Sequence, residues 1–138
     1  MALYYYPGIL TKEEHIAYWV ETAERDWRAV KNMYKSKDYL QALFFAHLVL
    51  EKLLKACWVK DNEENIPPKI HNLVVITGKT KLNLNENDLE FLSSMNQFQM
   101  EGRYPDYTQK LYKLYKATQT KDVLDNVKMM RLCILKEL

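Results

Sequence analysis

"YLQALFFAHLVLEKLLKACWV", residues 39–59, decides the fold: it is apolar almost throughout, yet it is neither a strand nor a membrane span. Leu40, Leu43, His47, Leu50, Leu54 and Cys57 recur every three or four residues and form one apolar seam. Ala42, Phe45, Ala46, Val49, Leu53 and Ala56 cover much of the opposite side. Only Glu51, Lys52 and Lys55 leave a narrow charged strip. A helix of this kind, predicted over about 39–60, belongs at the centre of a bundle or at a subunit interface. Asp38 and Gln41, just before it, stand at capping-box spacing.

Working outward, Thr11 and Glu14 form a capping box that opens a helix over about 12–35. Ile16, Trp19, Ala23, Trp27, Val30 and Tyr34 mark its buried face, and acidic and basic residues fill the other. Downstream, "DNEENIPPK" reads as a linker, because proline lacks the amide that would extend a helix. A short helix is predicted over 70–77 and another over 86–99, with Asn85 and Asp88 at its start and Leu89, Leu92, Met95 and Met100 inward. Gly102 to Asp106 breaks the pattern. A piece over 107–118 follows, then a last helix over 121–137 with Thr120 as its cap and Val123, Val127, Met130, Ile134 and Leu138 inward. Residues 1–11 are an N-terminal tip, and 12–138 form a single domain.

The totals agree with an all-α class. A chain of 138 residues buries ~68–70% of its unfolded surface as one core. Three Gly and four Pro are too few for a turn-dense sandwich or barrel. A net charge of +2 and a pI near 8.4 fall short of the value of about 9 typical of nucleic-acid-binding domains. Cys57 and Cys133 both fall inside apolar helical patterns, so no disulfide is expected. No apolar run approaches the ~18 residues of a membrane span, and "MALYYYPGIL" lacks a basic region and a cleavage site. A cytoplasmic protein is the expectation.

Three elements then carry a resemblance. The central stretch, with Glu51, Lys52, Lys55 and Ala56 in a Glu-Lys-x-x-Lys-Ala pattern, resembles the central helix of HEPN domains. "PKIHNLVVI" is similar to that family's Pro-x-x-His-Asp-Leu element, with His71 and Leu73 matching and Asn72 in place of Asp. "GRYPD" resembles the Arg-Tyr-Pro-Asp corner of many prokaryotic members, here Arg103, Tyr104, Pro105 and Asp106. The resemblance covers about residues 12–136 and implies an antiparallel up-and-down bundle of four to five main helices with a short extra helix. It also implies a homodimer, often encoded beside a minimal nucleotidyltransferase in a toxin-antitoxin-like context, that is either a metal-independent ribonuclease or a non-catalytic binding or regulatory protein.

The residues weigh against the ribonuclease branch, whose members are similar in using an Arg and then a His separated by four to six intervening residues. Arg occurs at 25, 28, 103 and 131 and His at 15, 47 and 71, and no Arg precedes a His at that spacing. No set of three or four paired metal ligands and no Gly-rich phosphate loop appears, so no metal or cofactor is expected. His47 lies on the apolar seam, as a bonded core histidine or a functional one. His71 either bonds the backbone near a helix start or faces a cleft. Arg103 either clamps Asp106 or Glu51, with Tyr104 packed below, or binds the phosphate of a nucleotide or RNA with help from Lys52, Lys55 and His71. Tyr107, Tyr112 and Tyr115, interleaved with Lys110, Lys113, Lys116 and Lys121, read as packing residues beside a solvated face or as base-stacking groups. The expectation is a non-catalytic nucleotide-binding dimer; the alternatives are a ribonuclease with an atypical site and a purely structural dimeric interaction module.

Overall fold

The structure, a computed structural model, describes residues 9–138, so most of the N-terminal tip lies outside the described residues. Every regular element among them is helical: α1 Lys12–Lys35, α2 Tyr39–Asp61, α3 Leu73–Thr77, α4 Glu86–Met95, α5 Pro105–Leu114 and α6 Ala117–Leu135, with a 3₁₀ turn at Asn96–Phe98 after α4. The described bundle thus has five longer helices and one short one, as the resemblance implies.

α1 starts where its local chemistry says it should. Thr11 accepts the Glu14 amide at 3.1 Å while the Glu14 carboxylate accepts the Thr11 amide at 2.9 Å. The turn into α2 uses a different device from the one expected. Lys37 takes a left-handed φ of 66° and the Asp38 amide bonds back to Met33 O at 2.8 Å. Asp38 therefore occupies the cap position without its side chain bonding, and the capping box with Gln41 does not form.

α2 is the axis of the molecule, packed by α1 on one side and by α6 and α3 on others. Both of its apolar faces are consequently covered, with Leu43, Leu50 and Leu54 of the seam and Ala42, Val49 and Ala56 opposite all at zero exposure. Two members of the charged strip are covered as well, Glu51 at 5% and Lys55 at 7% exposure, while Lys52 is half-buried. α6 runs antiparallel to α1. Tyr34, near the end of α1, donates to Ala117 O at the start of α6, whereas Glu24, earlier in α1, pairs with Arg131 near the end of α6. The far end of α2 is tied down by Lys12, whose ammonium donates to Val59 O and Asn62 O, each at 2.7 Å. These carbonyls have no partner within the helix, so the cation at the C-terminus satisfies them and meets the negative end of the dipole.

Several boundaries differ from the sequence expectation. The short helix begins at Leu73 rather than 70, capped by Asn72, whose Oδ1 accepts the amides of Val74 and Val75 at 3.0 and 3.2 Å. The helix expected over 86–99 gives way to the 3₁₀ turn at Asn96; Leu92 and Met95 are buried, Leu89 and Met100 half-buried. Asn85 caps α4 as expected, accepting the Asp88 amide at 2.8 Å. α5 spans 105–114 instead of 107–118, with Tyr104 in the cap position and Pro105 first in the helix, where its missing amide costs nothing. α6 starts at Ala117, so Thr120 lies inside it, fully buried, rather than capping it. Leu138 is 38% exposed and outside the buried stripe. Cys57 is buried and Cys133 exposed, both as free thiols. No described helix is long and apolar enough to cross a membrane.

Candidate functional site

The polar centre of the molecule is built on one face of α2, where His47, Glu51 and Lys55 follow each other at intervals of four and therefore stack along the helix. Glu51 is the hub. Its Oε2 accepts the Lys55 ammonium at 2.9 Å, and its two oxygens lie 3.2 and 3.1 Å from Nδ1 of His71. Lys55 also lies 5.7 Å from the centroid of the Trp19 ring, which closes its other side. The ammonium is thus consumed inside the bundle.

His71 reaches Glu51 because the chain before α3 is pinned. Asn96 Oδ1 accepts the Leu73 amide at 3.0 Å, and its Nδ2 donates to Asn72 Oδ1 at 3.2 Å. Two carboxamides thereby lock the start of α3 to the 3₁₀ turn and turn the His71 ring toward α2. Nδ1 carries the proton of the contact with Glu51, because an ionised carboxylate only accepts. Nε2 faces outward, 3.7 Å from the exposed Glu101, and the side chain is 46% exposed.

Arg103 lies across the same opening. Gly102, at φ 76°, makes the bend, and the Arg103 amide bonds Met100 O at 3.1 Å. Arg103 Nε donates to Gln99 O at 3.0 Å, and the guanidinium lies 4.4 Å from the Tyr107 centroid. Tyr107 is itself anchored through its hydroxyl to Gln97 O at 2.7 Å. The expected clamp is absent among the described residues, because neither Asp106 nor Glu51 pairs with Arg103. Asp106 accepts the adjacent Tyr107 amide instead. The ring beneath Arg103 is Tyr107; Tyr104 is 79% exposed at the lip of the corner. Both Nη atoms of Arg103 are left without a partner among the described residues. His71, Asn72, Asn96, Gln99, Glu101 and Arg103 line a cleft of about 460 Å³.

The structure thus brings Arg103 and His71 together with Glu51 and Lys55 behind them, and sets Lys52 apart. Lys52 turns toward α1 and pairs with Asp26 at 2.7 Å. His47 is fully buried beside this centre, its Nδ1 3.7 Å from Glu51 Oε1. Burial pushes its pKa down, and the negative charge of Glu51 opposes the shift. Asn96, which positions the segment that carries His71, has no sequence signal as a single residue, whereas Tyr107, singled out in the sequence as a packing or stacking ring, lies beneath Arg103. No three metal-ligating side chains converge among the described residues.

The HEPN domain profile matches residues 16–138, nearly the whole chain. The chain belongs to the HEPN domain family. Its fold is also that of the crystal structure of TT1696 from Thermus thermophilus, at a TM-score of 0.75 and 17% identity, covering 90% of this chain and 98% of that one. No curated protein sequence matches. In this HEPN domain the Glu51–His71 contact joins the central helix to the His71–Asn72–Leu73 segment, and Arg103 closes the cleft they form. The three stretches that signalled the family are the three that build its polar centre.

Proposed function

We propose that this HEPN domain is a non-catalytic binding and regulatory protein that takes the phosphate of a nucleotide in the Arg103 cleft and works with a minimal nucleotidyltransferase. The observation that carries the reading is the free fork of Arg103. The two Nη groups are oriented by the Nε bond and the Tyr107 ring, yet they make no hydrogen bond to any described residue. A planar pair of donors suits a phosphate oxyanion. Lys55 contributes only through Glu51, and Lys52 is engaged elsewhere, so Arg103 is the principal anion ligand and His71 its neighbour. The exposed Tyr104 ring adds a surface on which a base would stack. Titration of the purified protein with ATP tests this. Saturable binding, weakened by about 10- to 100-fold in Arg103→Ala, is expected for the loss of charge-assisted bonds. Absence of saturable binding, or an unchanged affinity in the variant, overturns it.

One observation favours a second reading. The Glu51–His71 pair holds an imidazole with its Nε2 turned to the cleft, an arrangement fit for proton transfer with a ribose hydroxyl beside an Arg-bound phosphate. Cleavage of labelled RNA in the presence of a chelator, lost in both His71→Ala and Arg103→Ala, would replace the binding reading with metal-independent cleavage.

A further inference from the structure

A second surface, away from the Arg103 cleft, lies where the last turns of α1 face the first turns of α6. Tyr34 of α1 and Leu124 of α6, with the edge of Trp27 and the buried Val30 beneath them, form the floor of a groove of about 300 Å³ that exposes almost no polar surface. Lysines stand along both edges. Lys121 is neutralised by Asp125 at 2.8 Å, whereas Lys31, Lys35 and Lys128 have no acidic partner among the described residues. The floor is held rigid from one end. Arg131 packs 5.4 Å from the Trp27 centroid and pairs with Glu24, which fixes the spacing of the two helices.

We propose that this groove docks an acidic amphipathic helix of a partner protein. Trp27 to Lys35 on α1 spans ~12 Å and Lys121 to Lys128 on α6 ~10 Å, about two turns of a third helix. Such a helix would place apolar side chains at i, i+3, i+4 and i+7 on the floor and Asp or Glu on its flanks, against Lys31 and Lys35 on one edge and Lys128 on the other. The groove is open along its length, so a small ligand would keep much of its surface wet where a bound one normally buries about 70–90%. Nucleic acid fits poorly, because a floor without polar groups offers nothing to sugars or base edges between the lysines.

The test uses two labelled helical peptides of about fourteen residues, with identical leucine stripes and either Glu or Lys on the flanks, followed by fluorescence anisotropy with the full chain. The Glu-flanked peptide should bind saturably and lose most of its affinity at ~1 M salt. In Lys31→Glu/Lys35→Glu/Lys128→Glu, with helical circular dichroism unchanged, its affinity should fall about tenfold or more. A single Leu124→Glu change, which puts charge on the floor, should weaken it comparably. Equal binding of the Lys-flanked peptide, no saturable binding, or an unaltered affinity in both variants overturns the proposal. So does a dimer by light scattering that dissociates in Leu124→Glu, because the groove would then belong to a second copy of the chain.

Discussion

Removing the Glu51 carboxylate tests whether the polar centre is a unit. In Glu51→Ala the Lys55 ammonium, 7% exposed and pressed on one side by Trp19, loses the anionic partner it has among the described residues and stays within the bundle. Breaking one side of a buried pair costs about 3–5 kcal/mol, because the remaining charge is left uncompensated. That is a large share of the ~5–15 kcal/mol by which a domain of this size is stable. With a urea m-value of about 2 kcal/mol/M, the unfolding midpoint should fall by roughly 2 M at constant m. Circular dichroism at the helical minimum would follow it. Glu51→Leu/Lys55→Met should recover most of the loss, since both charges are gone and the half-exposed His71 can bond water instead. A midpoint shift below about 0.5 M in the single variant, or a double variant as unstable as the two singles added together, would refute the argument.

Three further outcomes follow from particular side chains. Burial lowers the folded-state pKa of His47 below its ordinary value of 6.5, so the unfolded chain binds more protons there and stability is full above about pH 6.5 and lost as the pH falls. The slope of unfolding free energy with pH between about 6.5 and 5, up to ~1.4 kcal/mol per unit, should flatten in His47→Leu; an unchanged slope would assign the titration elsewhere. Burial pushes the Cys57 thiol up to about 12 while Cys133 is exposed, so a disulfide reagent at mild alkaline pH should titrate one thiol in the native protein and two in denaturant. Lys12→Met should cost about 1.5–3 kcal/mol in chemical denaturation by uncapping the end of α2, and a cost near zero would mean that water caps it equally well.

The legibility of the fold followed the locality of its causes. The Thr11 capping box, the Asn85 cap and the all-round apolarity of α2 are read from residues a few positions apart, and each stands where expected. Thr120 misled because its chemistry is that of a cap while its position is set by packing. Tyr115 turns into the core, its ring 5.0 Å from that of Phe98, so the break falls at Tyr115–Lys116 and α6 begins before Thr120. The 3₁₀ turn after Met95 was equally hidden. Asn96 turns its carboxamide across to the Leu73 amide, a contact over 23 residues of sequence. The cations of the candidate site were visible in the sequence, but not all of their partners were. Lys55 stands four residues after Glu51 on the same helix, a pairing the spacing allows, whereas Lys52 meets Asp26 of α1, which depends on the register of α1 against α2.

That difference in partners explains why, among the described residues, the cleft has one free cation rather than several. The basic side chains near α2 are satisfied within the bundle, where a charge without a counter-charge would be expensive. Arg103 escapes because it stands on a corner outside the packed helices, where solvent hydrates it and only its Nε and one face of the guanidinium are used for orientation. Gly102 lets the backbone take that corner, since its φ of 76° is open to glycine and strained for any side chain although no atom lies within 4 Å of an added Cβ. The GRYPD stretch is therefore a corner and a candidate site for the same reason. The break in helical packing keeps Arg103 out of the internal ion pairs, and the turn fixes the direction in which its free donors point.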